Sequence, residues 1–186
     1  MIVSWFADRR TQELGVVARD FATALAGKCP ADSVSLYVDR AVPPPPSAES
    51  PTASRLARAL PANLRRLLSA LKPSEHAVLA LVAPLSTEVI TAFDLSTCVF
   101  VLADHGVKSL RTAQRTFKVC RELGYPRSRL QAVLSTEPVV RDPVDAEGVA
   151  AALKREAVFG LPSRAADPAA WQAAMDHFVT NLVRRT

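Results

Sequence analysis

Apolar runs separated by segments of helical period set the outline of this chain. Six stretches read as strands: "MIVSWF" (1–6), "SVSLYV" (33–38), "AVLALVA" (77–83), "CVFVLA" (98–103), "LQAVLS" (130–135) and the shorter "AVFGLP" (157–162). Several are apolar throughout, the pattern of strands covered on both faces. Between them, apolar positions recur at helical spacing. A helix is predicted over about 11–27, stopped by Gly27 and Pro30, another over 63–71, and a third from near Ser86 with Val89, Ile90 and Phe93. The clearest covers 109–123 and ends at Gly124, with Pro126 beyond. Its Leu110, Ala113, Phe117 and Cys120 share one face. Residues 145–155 form a further helix. Asp167 caps a last one, with Pro168 at its first position and Trp171, Met175, Phe178, Leu182 and Val183 along it. Strands alternating with helices predict an α/β fold, a mostly parallel sheet flanked by helices on both faces.

One segment breaks the alternation. "VPPPPSAESPTAS" (42–54) cannot hold a regular helix or strand through its prolines. It reads as a surface loop of polyproline character, with a PxxP-type docking ligand as the alternative. No repeat and no second domain is visible, so 1–186 reads as one domain.

Composition narrows the class. The chain is 49% hydrophobic, enough for a buried core, yet no window reaches the roughly 18 apolar residues of a membrane span. No basic segment leads into an apolar one at the N-terminus, which argues against secretion. Cys29, Cys98 and Cys120 stand at unrelated spacings with no CxxC, as reduced and mostly buried thiols of a cytoplasmic protein do. A net charge of +5 allows nucleic acid, anionic lipid or an acidic protein as partner and selects none.

The charge is locally organised. Lys108, Arg111, Arg115 and Lys118 recur at i, i+3, i+7 and i+10, a basic stripe beside the apolar face of their helix. It is a candidate surface for a protein partner or for nonspecific DNA, or else a solvated face. Arg55, Arg58, Arg65 and Arg66 form a second group beside the proline loop. The last helix has an apolar face and a basic end, so it either packs on the sheet or lies in a membrane surface. Asp104 and His105 sit at a strand's C-terminal end, where α/β folds place ligands. They offer acid–base chemistry or a helix-capping turn. There is no G-x-S-x-G, no H-E-x-x-H and no metal-ligand spacing, so no catalytic set, metal or cofactor is expected.

The turn after the first strand is more telling. A P-loop needs glycines to converge backbone N–H groups on phosphate, a lysine to neutralise it and a hydroxyl for magnesium. "WFADRRTQELGVVARDFATALA" has none of these where they are needed. The strand–turn–helix followed by "SLYVDR", and the block "VFVLADHGVKSLRTAQRTFKVCRELGYPRSRLQAVLS", resemble the ParA/MinD group of deviant P-loop ATPases. The second block is most similar to the Tad/Cpa pilus-assembly branch. The resemblance implies a P-loop NTPase-like three-layer sandwich. An ungapped match anchored on Ala24, Leu25 and Ala26 puts the signature lysine on Arg9 and the glycines on Arg10, Thr11 and Glu13. It puts the phosphate-binding lysine on Leu14 and the magnesium hydroxyl on Gly15. Leu81 or Ala83 stands for the family's aspartate, and Ser135 for its adenine-contacting asparagine, while Asp39 matches a switch-region aspartate.

The resemblance therefore implies an inherited scaffold with a dismantled nucleotide site. The expected function is a non-catalytic adaptor or regulator in bacterial polar positioning or in secretion or pilus assembly. Its partner would be an active ParA/MinD-like ATPase or a membrane-machine component, and a homodimer is a further candidate. The alternatives are a nucleoid- or membrane-binding positioning factor and an atypical nucleotide-binding protein using Arg9, Arg10, Asp39 and Asp104.

Overall fold

The structure is a computed structural model that describes residues 1–8, 13–30, 33–42, 57–61, 63–136, 143–154 and 158–184. Among the described residues seven strands are present: β1 (Ile2–Ala7), β2 (Val34–Val38), β3 (Ala57–Ala59), β4 (His76–Val82), β5 (Cys98–Ala103), β6 (Leu130–Ser135) and β7 (Val158–Leu161). Among the described residues six α-helices connect or follow them: α1 (Leu14–Ala26), α2 (Leu64–Ser69), α3 (Thr87–Leu95), α4 (Val107–Glu122), α5 (Ala146–Leu153) and α6 (Pro168–Val183). The strands form one sheet in the order β3-β2-β4-β1-β5-β6-β7. Every pairing is parallel, which sharpens the expectation of a mostly parallel sheet. The short β3 departs from the predicted pattern. It has three residues with an exposed Arg58 in the middle, and among the described residues it pairs only with β2, so no apolar run announces it.

Side chains of successive strand residues go to opposite faces. Val3, Trp5 and Ala7 of β1 pack beneath α1 and α6, while Phe6 packs beneath the helices of the other face. Trp5 is the hub of the first layer. It stacks on Phe100 at 4.5 Å and meets Phe21 and Phe178 edge-on at 5.5 and 6.2 Å. The indole is fully buried, and its Nε1–H has no hydrogen-bond partner among the described residues.

Helix α6 lies on the sheet. Its Trp171, Met175, Phe178 and Leu182 are buried in the same cluster as α1. The apolar face weighed above as a membrane anchor is thus occupied, although Val183, placed on that face from the sequence, is 43% exposed. Asp167 caps α6 by accepting from the Ala170 amide at 2.8 Å. Among the described residues, no helix is long and apolar enough to cross a membrane.

Asp20 ties α6 to α1. Its carboxylate accepts from Trp171 Nε1 at 2.8 Å and meets Arg164 at 3.3 Å. Burial pushes this carboxyl above its ordinary 3.8, with Arg164 and the Trp171 bond opposing. A raised folded pKa means the native state holds the proton more tightly than the unfolded chain. Asp20's contribution to stability is therefore greatest below pH 3.8 and is lost as pH rises through the folded value. Chemical denaturation of wild type and Asp20→Asn between pH 4 and pH 7 should show the wild type losing ground to the variant as pH rises.

On the other face, Arg129 closes the C-terminus of α3. Its Nε donates to the Ser96 carbonyl at 2.6 Å, and its Nη2 donates to Phe93 at 2.7 Å and to Asp94. These carbonyls end a helix, where intrahelical donors run out, and Phe93 also accepts from the Ser96 amide at 3.2 Å. Arg129→Ala should cost about 2 kcal/mol, since bonds to charged groups are worth more than neutral ones. Urea melts measure this directly. Ser96, the residue after α3, donates to Ala92 and accepts from Ser4 of β1 at 2.7 Å, a satisfied polar link inside the core.

Candidate functional site: the strand-end cleft and the basic face of α4

The sheet order creates a crevice. β1 sends its helix toward β2 on one side, while the adjacent β5 sends α4 toward β6 on the other. Such a reversal opens a gap at the C-terminal ends of the two strands, the usual ligand position in open α/β sheets. Asp8 follows β1 here and Asp104 follows β5. Asp8, Ala83 and Pro84 form one wall of a cleft of about 550 Å3, and Lys108, Arg111, Thr112 and Arg115 of α4 form the other. Thr112 Oγ1 donates to the Asp8 carboxylate at 2.9 Å. Lys108, Arg111 and Arg115 are exposed. The predicted stripe thus becomes one wall of a cleft.

The α1 turn holds the other predicted positions. Arg9, Arg10 and Thr11 lie outside the described residues. Glu13 precedes α1, and its side chain does not cap the helix. Leu14, in the lysine's place, is 0% exposed and packs with Val17, Ala18 and Phe21 in the core layer. Gly15 is buried as well. Leu81, in the aspartate's place, is fully buried in the opposite layer.

The remaining positions are spread along the strand ends. Asp39 follows β2, where its carboxylate accepts from the Ala41 amide at 2.9 Å and shapes a turn. Ser135 ends β6 and is buried, paired with Leu161 of β7. Neither lines the cleft with the α4 cations. Asp104 accepts from Gly106 at 2.7 Å, and its own N–H donates to Ser109 Oγ at 3.1 Å. This is the helix-entry turn weighed above. Burial pushes the Asp104 carboxyl up, the Gly106 amide opposes this, and the nearby Asp8 carboxylate adds to it. His105 Nδ1–H donates to the Val144 carbonyl at 2.8 Å, so its ring clasps the chain entering α5.

Lys118 extends the stripe but leaves the cleft, and forms an exposed i,i+4 pair with Glu122 at 3.9 Å. The second basic group is dispersed: Arg58 stands on β3, Arg65 and Arg66 on α2, all exposed, and Arg55 lies outside the described residues. Sequence reasoning missed Asp8. Its signal was available, as the first polar residue after a central strand.

No family model matches the sequence, and no curated protein matches it. Solved structures do match by shape. The cell division ATPase MinD of Pyrococcus furiosus superposes with a TM-score of 0.65 at 11% identity, covering 100% of this chain and 99% of that one. A ParA family ATPase from Chlorobium tepidum TLS gives 0.64 at 13% identity, covering 96% and 98%. A MinC:MinD cell division complex from Aquifex aeolicus gives 0.56 at 12%, covering 100% and 95%. Over nearly its whole length, this chain has the α/β fold of ParA/MinD-type ATPases.

Proposed function

We propose that the chain is a single-domain, non-catalytic adaptor on a ParA/MinD-like scaffold, a pseudo-ATPase that binds a protein partner through the cleft and basic face of α4. The observation that carries this is Leu14. The residue matched to the phosphate-binding lysine is an aliphatic side chain in the closed core at 0% exposure. Nothing at that position can neutralise a triphosphate. The preceding Glu13 adds a carboxylate where phosphate would lie, and like charges repel. Gly15 has no hydroxyl for magnesium.

What replaces the phosphate cradle supports recruitment. Three exposed cations face a cleft at the strand ends, a surface suited to an acidic partner. The MinC:MinD complex shows this fold in a protein assembly. By the same analogy the partner is an active ParA/MinD-like ATPase or a component of a bacterial secretion or pilus machine, in the cytoplasm. The sequence likeness to the Tad/Cpa branch points the same way.

Isothermal titration with ATP, ADP and GTP plus magnesium, to millimolar ligand, tests the proposal. It should give no saturable heat and no thermal stabilisation. Saturable binding would overturn the pseudo-ATPase. The exposure of Lys108, Arg111 and Arg115 also suits a positioning factor that binds DNA directly. In that case duplex binding falls steeply with salt, and charge reversal at Lys108 and Arg111 abolishes it.

A further inference from the structure

A second concavity lies on the far side of the α4 stripe, against α5. Phe117 of α4, Leu130 at the start of β6 and Leu153 at the end of α5 lie in it, all buried. Arg115, Lys118 and Arg121 of α4 border it on one side, with Arg127 and Lys154 completing the border. Among the described residues no carboxylate lines it. We infer that this groove is a docking slot for an acidic linear segment of a partner protein, with one large apolar side chain of that segment seated on its floor. The inference rests on the adaptor role proposed above and names the chemistry of its partner.

Size selects this occupant. The space is about 140 Å3, well below the roughly 300–1,000 Å3 of small-molecule sites. It is close to the ~150 Å3 cavity known to hold one benzene in another protein. One ring or one branched aliphatic side chain fits, and the rest of the lining is mostly cationic, with Gln114 and Tyr125 beside the five charges. Duplex DNA would use the charge and leave the apolar floor unused.

Continuity supports a segment longer than the slot. Arg115 lines both the strand-end cleft and this groove. The cations therefore run along the whole of α4, whose 16 residues span about 24 Å. An extended peptide covers that distance in about seven residues.

Lys154 adds an independent observation. It ends α5 in the left-handed region, with φ 50 and ψ 42, and is the one described non-glycine residue with positive φ. Glycine or asparagine is the ordinary choice there. A lysine held against that preference places an ammonium at the groove's border, and strained backbone of this kind gathers at functional sites. The same geometry supplies a clean variant, because Lys154→Gly removes the cation and relieves the backbone together.

The test is fluorescence anisotropy with a labelled twelve-residue peptide of glutamate, aspartate and serine around one central phenylalanine, and its counterpart with alanine at the centre. The phenylalanine peptide should bind in the micromolar range and the alanine version about tenfold more weakly, as expected for one buried apolar anchor. Arg121→Glu and Lys154→Gly should each weaken binding by roughly tenfold, while Lys154→Gly melts at or above the wild-type temperature. Equal affinity for the two peptides, or no binding of either at millimolar concentration, overturns the slot. That failure with a flat nucleotide titration leaves the adaptor standing. Saturable ATP binding removes the adaptor whatever the peptides do.

Discussion

Trp5→Ala should lose about 3–5 kcal/mol, the largest single-residue effect expected in this chain. The indole sits in the central strand of the sheet and touches Phe21 of α1, Phe100 of β5 and Phe178 of α6. Removing it opens a cavity bounded by three separate elements, and parallel strands paired on both sides leave little freedom to collapse into it. Domains have about 5–15 kcal/mol in total, so the variant should melt at least about 6 °C lower, at roughly 2–4 °C per kcal/mol for this size. Trp5→Phe should behave differently. It loses ring volume, but it also removes a buried N–H with no partner, whose desolvation costs about 1–3 kcal/mol. The net loss should stay under about 2 kcal/mol, the two terms having opposite signs. A Trp5→Phe loss above about 2 kcal/mol relative to wild type would show that the buried N–H carries no penalty.

Leu14→Lys, the simplest repair of the missing lysine, should damage the fold without restoring a site. Leu14 is fully enclosed among the side chains under α1. The substitution discards its packing and places an ammonium where water does not reach, at a cost of about 3 kcal/mol or more. Burial lowers a lysine's pKa, so the folded variant favours the neutral amine. The unfolded chain then binds more protons, and stability rises with pH up to the free lysine value. Urea melts at pH 7 and pH 9.5 should show the deficit shrinking at the higher pH. Magnesium-ATP titration of the variant should stay flat. A stable Leu14→Lys that binds ATP would mean that the site stands one residue from function, and the pseudo-ATPase would be wrong.

Much of the fold was legible because the sheet is parallel and covered on both faces. "AVLALVA" and "CVFVLA" have no polar position to place, since Leu79 and Leu81 face one layer and Val78 and Ala80 the other. The face of α4 was legible for a similar reason, with Leu110, Ala113, Phe117 and Cys120 all buried. Its start was less so. α4 begins at Val107, which is 51% exposed, behind a Gly106 with no capping side chain, and neither residue marks a helix entry. The site was only partly legible. Periodicity within one helix gave the stripe. The groove needs Arg127 and Lys154, brought beside α4 by β6 and α5, and no local pattern joins positions so far apart. Asp8 had a local signal as the first polar residue after β1, but its bond from Thr112, 104 residues away, had none.

The strand order also has a consequence for the chain as it is made. β1 is completed first, yet its two neighbours are β4 and β5, and β5 is finished only at Ala103. At about 5–20 residues per second, the ribosome needs roughly 5–20 s between those points. Until β4 is complete at Val82 "IVSWFA" is an apolar strand with both edges open, and until β5 is complete one edge stays open, the kind of segment that associates with other chains. Nascent-chain survival should therefore depend on how quickly translation reaches β5, and slowing codons placed between β2 and β4 should increase aggregation while leaving the stability of the finished protein unchanged.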